Sequence, residues 1–294
     1  MRILVVGKGA IGGYYGGRLL EAGEDVTFLV RKKTEYLEVE SIHGNLNLPI
    51  KTIQAGEKTN PFDLVLLTTK AYHLNQVLTD LKPYISQQTT ILPLLNGYFH
   101  LKQIAEKFPN YLGGVCFIES TLDSEGRVIQ TSQRHDIVFG EINGEISPRV
   151  NQLAETFSKA KFKSILSHDI KTAMWNKYVF IAGLSGITTL MYSSIGPILE
   201  SPFGWETYGR LLNEISEIAK TQGVEIFSPE KNMEISSSMG PAMKASMLRD
   251  MEKGLPIEAN HIQGELLRLA EQNGIETPLL KAVYSRLKIY EQTL

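Results

Sequence analysis

The sequence predicts an α/β fold, a doubly wound parallel sheet in the N-terminal part followed by an all-α C-terminal part. Three observations carry that expectation. Apolar runs of strand length alternate with helical patterns over the first half, a glycine-rich turn joins the first strand to the first helix, and strand signals cease near residue 167. The chain of 294 residues therefore reads as two domains, 1–166 and 167–294.

The first element is a short apolar strand, Arg2 to Val6, followed by Gly7-Lys8-Gly9-Ala10-Ile11-Gly12, a helix, and a second strand ending at Val30-Arg31. A bare G-x-G-x-x-G string is common, but between a strand and a helix it has the context of a Rossmann-type dinucleotide turn. In that reading Gly7 permits the tight turn, Gly9 lets the backbone approach a pyrophosphate, and Gly12 lets helix and strand pack closely. The phosphates would sit on free N–H groups at the helix start. A dinucleotide turn selective for NAD usually places a carboxylate after the second strand, whereas this chain has Arg31, Lys32 and Lys33. A guanidinium suits a 2′-phosphate, so the expected cofactor is NADPH/NADP. The alternative for these three residues is a solvated basic strand end.

Further strands are expected at Asp63 to Leu67 and Thr89 to Leu95, with a helical pattern at Leu74, Val77, Leu78 and Leu81 between them. Lys70 and Asn96 fall just beyond these strand ends, the side of an open α/β sheet where ligands bind. Asn96 both donates and accepts, which suits a ribose or carboxamide and a substrate oxygen; Asn96-Gly97 is also an ordinary turn dipeptide, and Lys70 also reads as a solvated lysine. After Leu112, Val128 to Thr131 and Asp136 to Gly140 read as antiparallel strands separated by a polar loop around Ser132 to Arg134, extending the sheet at one edge.

Long helices are expected at Ile170 to Met191, Tyr208 to Thr221 and Ile257 to Asn273. With Ile170, Ala173, Met174, Ile181 and Leu184 as one face, Lys177 falls on the apolar stripe. Two readings stay open: a poorly solvated ammonium poised as a proton donor, or a lysine whose stem covers apolar surface while its head reaches water. Residues Ser228 to Lys244, rich in serine and methionine, read equally as a lid or a variable surface loop. The two domains are expected to enclose an active cleft.

Composition narrows the function classes. The apolar fraction is 43% and the formal net charge is -2, with both signs mixed along the chain, so no footprint for nucleic acid or an anionic membrane is present. Cys116 is the only cysteine and the 6 histidines lack ligand spacing, which excludes a disulfide framework and a thiolate metal cluster. The N-terminal apolar run is too short for a signal peptide or membrane span, so a cytoplasmic protein is expected.

The chain resembles the ketopantoate reductase (2-dehydropantoate 2-reductase) family over nearly its whole length. The carriers are the glycine loop, Arg31, Thr69-Lys70-Ala71, Leu95-Asn96-Gly97, Trp175-Asn176-Lys177, Ser246-Met247-Leu248-Arg249-Asp250 and Ile257-Glu258-Ala259-Asn260. The resemblance implies reduction of 2-dehydropantoate to pantoate in the pantothenate and coenzyme A pathway, with Lys177 as proton donor to the carbonyl oxygen. It implies that Glu258 contacts cofactor or substrate and orients the lysine, and that Ser246 binds the substrate carboxylate. Read without it, Glu258 is a helix-start acid and Ser246 a solvent-facing serine. Family members similar to the ketopantoate enzyme carry asparagines four and eight residues after the lysine; here Ile181 and Ser185 stand at those substrate-contacting positions. The alternatives are therefore a reductase of another small 2-oxo acid, or a nonenzymatic NADPH-binding sensor, against which Lys177 and Glu258 together argue. A homodimer through the helical part is compatible with the sequence, although no residue pattern marks one.

Overall fold

The computed structural model describes residues 1–294. They form two compact units, residues 1–95 with 100–173, and residues 96–99 with 174–294. The chain leaves the first unit seven residues later than the expected boundary. The cause is local: β10 (Ser164–Leu166) pairs with β9 (Val128–Gly140), and Ile170 packs where Gly113 and Gly140 leave room.

In the first unit, β1 (Arg2–Val6), β2 (Asp25–Leu29), β5 (Lys51–Ile53), β6 (Leu64–Leu67) and β7 (Thr90–Pro93) form a parallel sheet of order β5-β2-β1-β6-β7. Its apolar runs are continuous because both faces are covered. Ile3 and Val5 enter one core with Tyr14, Phe28 and Val128, while Leu4 and Val6 enter another with Leu74, Leu78 and Ile104. That division is the two-residue side-chain period of a strand buried on both sides. Helix α1 (Ala10–Glu21) follows β1, and α2 (Leu74–Asp80) lies between β6 and β7 in the chain.

The expected antiparallel extension takes a different form. Residues Val128 to Gly140 are one strand, without the loop expected at Ser132 to Arg134, and it belongs to a second sheet. In that sheet β3 (Tyr36–Ser41) pairs antiparallel with β4 (Leu46–Pro49) and parallel with β9, and β8 (Gly113–Leu122) runs antiparallel to β9. The polar residues are satisfied across strands: Ser132 Oγ accepts from the Glu119 N–H at 2.8 Å, and Arg134 pairs with Asp136 at 2.9 Å. A register shift between Ile118 and Ser120 absorbs the mismatch. Helix α1 packs against both sheets; a Cβ on Gly16 would meet the Phe28 ring at 2.7 Å, and one on Gly13 would meet Val128 at 2.7 Å. The remaining helices of this unit are α3 (His100–Ala105) and α4 (Pro148–Ser158).

The second unit is helical. Helix α5 (Ile170–Met191) supplies Trp175, Tyr178, Val179, Ala182 and Ile187 to a core shared with α6 (Ile195–Glu200), α7 (Gly204–Lys220), α9 (Ser246–Glu252), α10 (Glu265–Gln272) and α11 (Pro278–Glu291). Within Ser228 to Lys244 the chain is not a plain loop: Pro229–Ser238 is helix α8, and the Ser228 hydroxyl accepts from the Lys231 N–H. The helix expected over Ile257 to Asn273 opens instead as a π-turn, Asn260–Gly264. Its origin is a competing acceptor, since the buried Tyr178 hydroxyl donates to the Ile262 carbonyl at 2.6 Å. No helix is long and apolar enough to cross a membrane.

Candidate active site

The glycine turn is built by β1 and β6 together. Gly7 has φ of +93°, and its N–H donates to the Leu29 carbonyl at 3.0 Å, which closes the turn onto the end of β2. A Cβ on Gly12 would sit 2.1 Å from the Gly7 carbonyl oxygen and 2.4 Å from Thr68 Oγ1, so only glycine fits there. Thr68, which sequence reasoning missed, braces the turn by donating to the Val6 carbonyl at 2.7 Å. No motif marks it.

Gly9 differs from its neighbours, because a Cβ there would meet nothing within 4 Å. Gly9 is also the residue before α1, where no side chain caps the helix and the first turn holds no acid. Open space over uncapped N–H groups at the positive end of a 12-residue helix fits an anionic pyrophosphate. Lys8 stands beside it, with Nζ donating to the Tyr36 carbonyl at 3.4 Å and its pKa lowered by burial against the opposing charge of Glu38. Ala10 and Ile11 form the first turn of α1.

Beyond β2, Arg31 is exposed and its backbone carbonyl accepts from Gln54 Nε2 at 2.6 Å. Lys33 is paired with Glu57 at 2.8 Å, which leaves Arg31 and Lys32 as the outward basic residues of that strand end. Lys70 is half-buried at the head of a short 3₁₀ turn, Ala71–His73. The pKa of His73 is lowered first by burial and then by the Arg31 cation.

The remaining sequence-predicted residues fall in the helical unit. Asn96 is among them, and not in the sheet unit as its position after β7 implied. The reason lies in its neighbours: Tyr98 stacks on Trp175 with ring centres 5.2 Å apart, and Phe99 meets Trp175 and Tyr178 edge-on. The backbone carbonyl of Asn96 accepts from His261 Nε2 at 2.9 Å. His261 was invisible to spacing arguments because its partner lies 165 residues away.

Lys177 is half-buried on α5, on the same less buried strip as Ala173, Phe180 and Ile181. The deep face carries Ile170, Met174 and Leu184, so the single stripe expected from the sequence divides in two. Ile181 is therefore half-buried one turn beyond Lys177. Ser185 is buried, and its Oγ accepts from Gln263 Nε2 at 2.8 Å. Glu258 is buried directly before the π-turn, and Ser246 is exposed at the first residue of α9. No group of residues arranged to hold a metal ion is present.

Residues 3–144 match the family Ketopantoate reductase PanE/ApbA, and residues 169–291 match Ketopantoate reductase PanE/ApbA C terminal. The chain is 44% identical over 301 residues to the uncharacterized oxidoreductase YkpB of Bacillus subtilis (strain 168), covering 99% of each chain. Among solved structures it superposes on 2-dehydropantoate 2-reductase from Geobacter metallireducens GS-15 with a TM-score of 0.90 at 30% identity, covering all of both chains. It shares its fold with D-mandelate dehydrogenase in complex with NADH and anilino(oxo)acetate, at a TM-score of 0.91 and 21% identity, over 100% of this chain and 99% of that one. The chain belongs to the ketopantoate reductase PanE/ApbA family of oxidoreductases, which act on CH–OH groups with a nicotinamide dinucleotide.

Proposed function

We propose that this protein reduces a small 2-oxo acid, 2-dehydropantoate, to the corresponding 2-hydroxy acid, pantoate, with NADPH. The observation that carries the reading is Lys177, a half-buried lysine on the Trp175-Asn176-Lys177 segment, in a chain that also keeps Glu258, Asn96 and the glycine turn. The Gly7 to Gly12 backbone would hold the pyrophosphate, with Lys8, Lys70, Asn96 and Glu258 as further cofactor contacts and Arg31 on the 2′-phosphate. When bound, the dinucleotide supplies a hydride for the carbonyl carbon. Lys177 then answers the charge that grows on the carbonyl oxygen, stabilising it and giving up a proton to it. Glu258 holds the ammonium in place, and Asn96 and Ser246 bind substrate oxygens. The reaction is assigned to the cytoplasm.

A second reading is favoured by Ile181 and Ser185. One presents an apolar side chain beside Lys177 and the other spends its hydroxyl on Gln263. A site with fewer polar partners discriminates less strongly for a hydroxylated substrate, so the second reading is a 2-oxo acid with a more apolar tail. NADPH oxidation, followed by absorbance with 2-dehydropantoate and a panel of 2-oxo acids, separates the two. Turnover confined to 2-dehydropantoate, and reduced by about 100-fold or more in Lys177→Ala, supports the first. Activity only on apolar oxo acids supports the second, and silence on every acid refutes both.

A further inference from the structure

We propose that His261 is a positioning residue for this reductase, acting through Asn96 by clamping the Asn96-Gly97 turn to the helical unit. The inference rests on the proposed reaction, in which Asn96 binds a substrate oxygen.

Three contacts make the clamp. His261 Nε2 faces the Asn96 carbonyl at 2.9 Å, and a carbonyl only accepts, so the ring donates there. Gly97 has φ of +86°, and a Cβ on it would lie 3.1 Å from His261 Nε2 and 3.3 Å from Cδ2. Turn and imidazole are thus fitted to each other. The next two residues complete the hold, Tyr98 against Trp175 and Phe99 against both Trp175 and Tyr178. Trp175 and Tyr178 flank Lys177 on α5.

The imidazole is itself fixed by the π-turn. His261 lies three residues after Glu258, and the Tyr178 hydroxyl donates to the neighbouring Ile262 carbonyl. Helical irregularities of this kind recur where a side chain must be re-aimed. The side chains assigned to the reaction thereby share one frame: Lys177 lies between Trp175 and Tyr178, Glu258 leads into the turn that Tyr178 ties down, and Asn96 hangs from His261. Burial lowers the pKa of His261, opposed by the Glu258 charge and the bond to Asn96. A neutral ring with its proton on Nε2 satisfies the contact.

Removing the donor while keeping the bulk should free the turn and displace the Asn96 amide without emptying the core. The test compares His261→Leu with His261→Gln, which restores an N–H donor, in a Trp205→Phe background. The chain has 2 tryptophans, so Trp175 is then the only indole and its acrylamide quenching reports on the Asn96–Phe99 segment. His261→Leu is expected to raise Trp175 quenching and to lower kcat for 2-dehydropantoate by about 10- to 100-fold, the scale of a displacement near 1 Å. NADPH affinity, read from nicotinamide fluorescence, should stay within about threefold, because the pyrophosphate contacts are untouched. His261→Gln should recover most of kcat. Unchanged quenching in His261→Leu overturns the clamp whether or not the enzyme turns over. Equal loss of kcat in both variants, in step with a fall in Tm, reduces His261 to a core residue. Wild-type silence on every 2-oxo acid refutes the reaction instead, and leaves quenching to decide the clamp.

Discussion

A guanidinium at the end of a strand discriminates between two cofactors that differ by one phosphate. Arg31 is free to do so because its neighbours are differently employed: Lys33 holds Glu57, while Gln54 pins the Arg31 backbone and leaves its side chain exposed. A charge-assisted contact to the 2′-phosphate contributes about 1.5–3 kcal/mol, or very roughly 10- to 100-fold in affinity. Arg31→Ala should therefore weaken NADPH binding by that factor and leave NADH binding nearly unchanged, as fluorescence titration of both cofactors would show. Equal use of NADH and NADPH by the wild type removes Arg31 from the assignment. Residues of this kind were legible because chain order places them: a strand, a glycine turn, a helix and a strand bring Arg31 to the nucleotide end. Thr68 and His261 were not, because each acts on a turn far away in sequence and no local pattern announces the contact.

At the scale of elements, α1 carries the strongest conflict between local preference and packing. Its sequence, AIGGYYGGRLLE, holds four glycines where alanine would favour a helix by about 1 kcal/mol each. The packing explains them, since sheets press on this helix from two directions and Gly16 lies under the fully buried Phe28 ring. Gly16→Ala gains propensity but forces a methyl to 2.7 Å from two ring carbons and 3.0 Å from Val5. Overpacking of that kind costs about 1–3 kcal/mol, so the net result is a destabilised protein. Urea unfolding should place the Gly16→Ala midpoint below wild type, and a higher midpoint would show that Phe28 gives way. The same helix illustrates what the sequence could convey. Alternating strands and helices reveal the parallel sheet, but nothing in residues 128–140 reveals a second sheet, because the polar stretch Ser132 to Arg134 has the composition of a loop and becomes strand only through partners on β8. Helix α8 was legible and overlooked: Ser228-Pro229-Glu230 is a helix-start signature, hidden by the serines and methionines around it. The π-turn was not legible, since a hydroxyl on α5 sets it.

For the molecule as a whole, buried titratable groups set the pH range of stability. His73, His135 and His261 all have lowered pKa values, with burial the largest cause in each. For His135 the charges of His43, stacked on it at 3.7 Å, and of Arg18 add to that effect. Below about pH 6.5 the unfolded chain binds protons that the folded chain refuses, so stability is full above that value and declines as pH falls toward the depressed native values. A second decline follows from carboxylates. Lys51 holds Asp25 below the usual carboxylate range; at Glu21 and Glu141 burial works the other way but is outweighed by Lys161 and Arg18, and by Arg149 and Ser147. Their contribution is present above the unfolded carboxylate pKa and is lost in stronger acid. On the alkaline side, burial pushes Tyr208 up to about 12 and Tyr15 and Tyr178 well above their ordinary value. Those phenols resist ionisation in the folded state, so stability is full below about pH 10 and falls above it. The urea midpoint should therefore form a plateau from near neutrality to about pH 10, with an acid limb that begins at histidine rather than carboxylate pH. His135→Gln isolates one contributor. It removes the imidazole that contacts the Tyr14 hydroxyl at 2.6 Å, so the variant should be less stable at pH 7.5 yet lose less between pH 7.5 and 5.5 than wild type. An identical slope in both proteins would move the acid limb to the other two histidines, and a wild-type plateau reaching down to pH 5 would exclude all three.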